Sequence, residues 1–142
     1  MAPTHALAHL VEVGNAGELD TQGSGWFVGF SDWTQGRPGA LRHVPAGAPS
    51  EGLCIKWLNH AAGDPNGEAK PVSVGRTMSL LVSPASEFRI EFSTAADFAV
   101  GATLTHTLRR QGDFVIWGAG LHHRAFGVLP ATVMTVRWDQ PA

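Results

Sequence analysis

The sequence has little of what several protein classes require. A single cysteine, Cys54, among 142 residues excludes an internal disulfide and with it a disulfide-stapled secreted scaffold. Lysine occurs twice and the formal net charge is −2, so no basic patch for nucleic acid or an anionic membrane surface is expected. No apolar run reaches the roughly 18 residues of a membrane span, and the N-terminus lacks the pattern of a signal peptide. We predict a cytoplasmic protein with neither nucleic-acid nor membrane partners.

Turn-forming residues are abundant instead. Seventeen glycines and nine prolines are too many for a helical bundle of this length, while 44% hydrophobic residues suffice for a core. Short β-prone segments recur between turns, a pattern typical of a sandwich or barrel. The predicted strands are residues 25–30, 53–60, 77–83, 88–92, 103–108, 114–117, a strand that begins at His123, and residues 132–138. The sequence therefore predicts an all-β fold with antiparallel connections.

The domain organisation follows from the spacing of these segments. Residues 1–22 are predicted to form an N-terminal arm or edge strand, and residues 23–142 a single barrel domain. Residues 77–83 and 88–92 are predicted to form a hairpin. Two long loops, residues 31–52 and 61–75, are interpreted either as lids over a binding site or as surface excursions.

One segment resembles a known family. Gly112 is followed by five residues, then by Gly118 and Gly120, and after two more residues by His123. This spacing resembles the second conserved motif of the cupin superfamily, with Gly118 at the position of a proline and Gly127 at that of an asparagine. Over residues 23–139 the chain is similar to small single-domain cupins. The resemblance implies an antiparallel double-sheet jelly-roll barrel with an interior site, in a superfamily that ranges from dioxygenases and isomerases to sugar binders.

The first cupin motif departs from the superfamily pattern, which supplies two histidines and a glutamate to a metal. When the turn of that motif is set at Pro84, Thr77 stands at the glutamate position. The histidine positions fall at Lys70 and Val72, or at Pro71 and Ser73. None of these is a standard transition-metal ligand, so His123 alone remains of the usual set. We predict no metal cofactor; the alternative is a metal bound by His60, His106 and His123.

Strand alternation predicts which polar residues face the interior. Lys56 and His60 share a phase with Cys54, opposite to that of Ile55 and Trp57, and only one of His122 and His123 faces inward. Histidine titrates near neutral pH and suits proton transfer. We therefore predict His123 and His60 as catalytic residues, with Lys56 stabilising an oxyanion. The competing interpretation is that these histidines are hydrogen-bonded to their neighbours.

Further strand residues are predicted to bind a ligand. They are Thr77, Ser79, His106, Trp117 and Arg137. A charge in the middle of a β-strand lies either on a solvent face or in a pocket, and a pocket with Lys56 and Arg137 suits an anionic or carbonyl-bearing ligand. The tryptophans, Trp57 among them, have core packing as their default explanation, and Trp33 lies in the first long loop, where it either closes over a ligand or meets a partner. Cys54 is predicted to be a small buried hydrophobe.

Three functions remain open. The leading hypothesis is a barrel that binds a small organic molecule and acts on it as a metal-independent isomerase, cyclase or lyase. The alternatives are a non-catalytic ligand-binding or structural cupin and a metal-dependent oxygenase. A homodimer is predicted, because strand edges that are not covered are prone to pair with another chain, and residues 6–13 are an edge segment suited to exchange.

Overall fold

The computed structural model describes residues 7, 10–20, 23, 25, 27, 52–63, 75–118 and 120–138. None of these residues lies in an α-helix. The strands are β1 (Val11–Asn15), β2 (Cys54–His60), β3 (Arg76–Leu81), β4 (Ala85–Ser93), β5 (Thr103–Arg110), β6 (Asp113–Trp117), β7 (His122–Gly127) and β8 (Ala131–Trp138). The all-β prediction is confirmed. The two long loops fall mostly outside the described residues, as do Trp26, Trp33 and the positions of the first cupin motif histidines.

The strands form two antiparallel sheets. One has the order β1-β6-β3-β8-β2 and the other the order β5-β4-β7. The connections β3–β4, β5–β6, β6–β7 and β7–β8 all pass from one sheet to the other, so strands that are neighbours in a sheet are mostly distant in the chain. This interleaving of two packed sheets is the arrangement of a jelly roll, as predicted.

The hairpin predicted around Pro84 is wrong. β3 pairs with β6 and β8 in the larger sheet, whereas β4 pairs with β5 and β7 in the smaller one. Residues 82–84 therefore carry the chain between layers. Local turn chemistry is the same for a bend between sheets as for a hairpin, so the sequence near the turn did not distinguish the two.

Two apolar clusters pack against the larger sheet, one on each face. Between the sheets, Leu81, Phe92 and Trp117 belong to a fully buried core. On the opposite side of the larger sheet, Phe114 and Trp138 are buried beneath residues that follow β1, including Leu19 and Phe27. Because this sheet is covered on both faces, β6 is apolar at successive positions rather than alternating.

The turn between β5 and β6 is tied to the edge strand β1. Gly112 has a φ of 90°, a conformation that side chains with a Cβ rarely adopt. Asp113 accepts hydrogen bonds at 2.9 Å from the backbone amides of Arg109 and Arg110 and from the Asn15 side chain. Burial acts to raise the pKa of Asp113, but these hydrogen bonds outweigh it and lower the pKa below its usual value. Asp113 therefore satisfies the backbone amides at this turn.

Two residues of β2 differ from their predicted environments. Cys54, expected to be buried, is exposed. Trp57, for which core packing was the default, is 59% exposed. Both differences have one cause: β2 is the last strand of its sheet and pairs with β8 on one side only among the described strands. An edge strand has the same apolar alternation as an interior one, so its exposure depends on neighbours that are distant in sequence.

Candidate functional site

A cavity of about 230 Å³ lies between the two sheets. The described residues that line it come from six strands. They are Cys54, Ile55, Lys56, Leu58, His60, Thr77, Ser79, Phe88, Ile90, Trp117, His123, Ala125, Val133, Thr135 and Arg137. The volume lies a little below the roughly 300–1,000 Å³ of typical small-molecule sites, so the cavity suits a ligand of metabolite size.

The larger sheet contributes a polar wall arranged in rows across its strands. In the first row, Arg137 on β8 lies opposite Thr77 on β3, and Thr77 lies opposite Trp117 on β6. Arg137 Nε donates a hydrogen bond to Thr77 Oγ1 at 3.3 Å. Since that hydroxyl acts here as the acceptor, its own proton remains for donation to a ligand. Thr77 is 1% exposed, so this donor faces the cavity rather than bulk water.

The second row lies two residues along the strands, a step of about 6.7 Å. Lys56 on β2 lies opposite Thr135 on β8, which lies opposite Ser79 on β3. The Ser79 and Thr135 hydroxyls are 2.9 Å apart and hydrogen-bonded to each other. One of their two protons is used in that bond, which leaves the second as a donor beside the Lys56 ammonium group.

The smaller sheet contributes an apolar wall with one polar residue. Phe88, Ile90 and Ala125 face the polar rows of the larger sheet. His123 lies opposite Phe92 in the pairing of β7 with β4, and its ring packs on Trp117 with centroids 5.1 Å apart. His123 therefore lies at the same end of the cavity as Arg137 and Thr77. We call these residues, with Trp117, the Arg137 end.

His60 lies at the other end. Its ring packs on Phe88 with centroids 4.6 Å apart. Phe88 and Phe92 are four residues apart on β4, which corresponds to about 13 Å along the strand. The two histidines predicted as catalytic residues thus line the same cavity but do not form a pair, and only His123 belongs to the Arg137 end.

The charge of the cavity is positive. Lys56 and Arg137 are diagonal neighbours on β2 and β8, and neither forms an ion pair with any described residue. The described lining contains no aspartate or glutamate. Both side chains are exposed, so water solvates them when no ligand is present, and an anionic ligand entering the cavity meets two cations.

The structure brings together seven of the eight residues predicted for the site. His123, His60, Lys56, Thr77, Ser79, Trp117 and Arg137 line the cavity. His106, also predicted to bind a ligand, does not line this cavity. It lies on β5, and β4 separates that strand from the cavity wall formed by β7. His122 pairs with Ser93 and does not line the cavity either, so the inward-facing member of the histidine pair is His123.

Several lining residues escaped the sequence analysis. Thr135 shares the strand phase of Arg137, so alternation along β8 was a sufficient signal for it. Phe88, Ile90 and Ala125 carry no such signal, because apolar residues on an inward face look the same whether they line a cavity or fill a core. Cys54 belongs to the lining through its position opposite Arg137.

The donor set does not fit the metal that the cupin resemblance implies. Thr77 offers a neutral hydroxyl that already accepts a hydrogen bond from a guanidinium group. No group of three or more histidine, cysteine, aspartate or glutamate side chains suited to a metal occurs within the described ranges. The alternative set His60, His106 and His123 is not brought together, since His106 lies outside the cavity and the other two lie at its opposite ends.

The fold and the cavity define a jelly-roll protein with a cationic interior site. No protein-family model and no curated protein matches the chain. Among solved structures, that of hydroxypropylphosphonic acid epoxidase from S. wedmorenis is similar, with a TM-score of 0.49 and 12% sequence identity. The similarity covers 63% of this chain and 44% of the epoxidase chain. In the part of the chain that the structure describes, no helix has the length and hydropathy needed to cross a membrane.

Proposed function

We propose that this jelly roll binds a small organic anion between its sheets and acts on it by proton transfer, as a metal-independent isomerase, cyclase or lyase. The observation that supports the proposal is the composition of the described lining, which contains two cations and no carboxylate. Such a site attracts an anion, and the apolar wall opposite favours one with a hydrocarbon body.

The Arg137 end is where the charged group of the ligand would bind. A guanidinium group binds a carboxylate through two parallel N–H groups. Arg137 Nε is engaged with Thr77, and its two terminal nitrogens have no hydrogen-bond partner among the described residues. With the Thr77 hydroxyl beside it, the arrangement offers three donors to one carboxylate.

His123 is the residue that would move the proton. Its ring lies at the Arg137 end, held against Trp117, so a ligand bound through its carboxylate places its first carbons near the imidazole. In the step proposed, an imidazole nitrogen takes a proton from a carbon next to a carbonyl, the electron pair moves to the carbonyl oxygen, and the Lys56 ammonium group stabilises the resulting enolate. Return of the proton to another carbon completes an isomerisation.

Exchange of hydrogen for deuterium tests this step. Small carboxylates that carry a carbonyl, such as 2-oxobutanoate and 4-oxopentanoate, are incubated with the protein in D₂O and followed by ¹H NMR. We expect accelerated loss of the signal of the hydrogens next to the carbonyl, and loss of the acceleration in His123→Gln with binding retained. Binding without any exchange in the wild-type protein would favour the non-catalytic alternative, and equal exchange by the variant would reject His123 as the base.

A further inference from the structure

The polar wall has two donor groups rather than one. The first is Arg137 with the Thr77 hydroxyl, and the second, one row further along, is Lys56 with the hydroxyl pair of Ser79 and Thr135. The rows are separated by about 6.7 Å along the strands. A simple carboxylate bound at the first group would leave the second without an acceptor.

The second group can donate hydrogen bonds to a ligand. The Lys56 ammonium group has three protons and no acceptor capacity, and the Ser79–Thr135 pair keeps one proton after its mutual hydrogen bond. Ser79 is 5% exposed and Thr135 is half-buried, so the remaining proton is at least partly shielded from bulk water whichever residue carries it. A ligand atom that suits this group is an oxygen with lone pairs, such as a carbonyl oxygen.

The opposite wall limits the rest of the ligand. Phe88, Ile90 and Ala125 offer no hydrogen-bonding side chain, and His123 is the one polar residue that the smaller sheet adds, at the end of the first row. The ligand therefore has its oxygen atoms on one side and hydrocarbon on the other, within a cavity of about 230 Å³. This disfavours phosphorylated compounds and sugars, whose polar atoms point in all directions.

Resting on the proposed function, we infer that the ligand belongs to the class of small oxo acids: a carboxylate held by Arg137 and Thr77, with a carbonyl oxygen further along the chain held by Lys56 and the Ser79–Thr135 pair. The second group then polarises the carbonyl beside which His123 takes its proton. Recognition and the stabilisation of the enolate are performed by the same donors.

Three probes of matched length separate the two donor groups: pentanoate, 4-oxopentanoate and the neutral ketone 2-pentanone. Dissociation constants are measured by ligand-observed NMR for the wild-type protein and for Lys56→Met, Arg137→Met and Arg109→Met. The last variant is the control, because Arg109 is an exposed cation on β5 away from the cavity and its loss changes the net charge equally. All variants are first compared with the wild type by circular dichroism and thermal unfolding.

In the wild-type protein we expect 4-oxopentanoate to bind about tenfold more tightly than pentanoate, the effect of one hydrogen bond to a charged donor. Lys56→Met should abolish that difference while pentanoate keeps its affinity, and Arg137→Met should weaken both acids at least tenfold. Equal binding of the two acids by the wild-type protein, or an equal loss of both in Lys56→Met, overturns the oxo-acid inference and leaves anion binding intact. Binding of neither acid, or no effect of Arg137→Met, overturns the proposed function itself.

Discussion

Arg137 and Thr77 lie opposite each other on β8 and β3, and the guanidinium Nε donates to the threonine hydroxyl inside the cavity at 3.3 Å. The threonine hydroxyl is neutral, and the arginine lies beside it. A carboxylate at that position would pair with the arginine, and the cavity would lose half of its uncompensated positive charge. The neutral hydroxyl instead orients the guanidinium and leaves its charge for a ligand.

This relationship predicts that Thr77→Val weakens the binding of small carboxylates about tenfold, although valine has nearly the same shape. The reason is that the substitution removes one hydrogen bond to a charged group, worth roughly 1.5–3 kcal/mol, and frees the guanidinium to adopt other rotamers. Arg137→Lys keeps the charge but loses the fork of donors, so it should resemble Thr77→Val more than the wild type. Isothermal titration calorimetry measures the affinity of both variants for pentanoate. An unchanged affinity in Thr77→Val would contradict the assignment of the carboxylate site to Arg137 and Thr77.

Metal content is expected to be below about one half equivalent per chain, because the described lining brings no three suitable ligands together. Treatment with a mild chelator should leave the melting temperature and the deuterium exchange unchanged. Elemental analysis of protein purified without chelator, before and after that treatment, gives the result. Near-stoichiometric metal that resists chelation and involves His123 would favour the oxygenase alternative over the metal-independent function.

Stability should depend on the protonation of His106. Burial lowers its pKa below the ordinary 6.5; nearby Asp113 acts in the opposite direction and Arg109 in the same one. Between the lowered value and 6.5 the unfolded chain binds a proton that the folded protein does not, so the free energy of unfolding decreases as the pH falls through this window. His106→Phe should flatten that part of the profile. Urea unfolding between pH 7.5 and 5 compares the two proteins, and parallel profiles would show that His106 is not responsible.

The β5–β6 turn is expected to be sensitive at two adjacent positions. Asp113→Ala leaves two backbone amides and the Asn15 side chain without their acceptor, at a cost of about 1–3 kcal/mol. Gly112→Ala forces a Cβ into a conformation with a φ of 90° and to 3.0 Å from Asn15 Oδ1, at a cost of about 1–3 kcal/mol. Chemical denaturation measures both. Asp113→Asn retains one acceptor oxygen and should lose less free energy of unfolding than Asp113→Ala. Equal losses in the two variants would show that the charge of Asp113 matters and not its hydrogen bonds.

The homodimer remains a prediction, and we expect β2 to form its interface. Its described neighbour is β8 on one side only, and Ile55 and Trp57 are 62% and 59% exposed. Antiparallel pairing of two copies of β2 about Trp57 places Lys56 opposite a leucine, the partner's copy of Leu58, so no like charges meet. Trp57→Glu would place two carboxylates opposite each other at the two-fold axis and should give monomers in sedimentation equilibrium. Val100→Glu introduces the same charge at an exposed turn residue and should leave the dimer intact. A wild-type protein that is monomeric at micromolar concentration would reject the dimer.

Much of the fold and of the site followed from the sequence. The period-2 alternation in LCIKWLNH gave Lys56 and His60 a common face, and seven of the eight residues predicted for the site line the cavity. Turn residues bound nearly every described strand, and short β-prone segments between them predicted the all-β fold. These features are local: side-chain alternation and turn conformations depend on neighbouring residues in the chain.

Only the tertiary structure decided which of these residues meet. Alternation assigns a face but not a sheet, so it could not show that β3 and β4 belong to different layers or that β4 separates His106 from the cavity. Register between strands distant in sequence places His123 with Arg137 and Thr77, and His60 some 13 Å away along the strand direction. The exposure of Cys54 and Trp57 likewise depends on β2 ending its sheet. Pairing and layer order are non-local, because they are set by the packing of the whole core, and no short segment of the chain contains them.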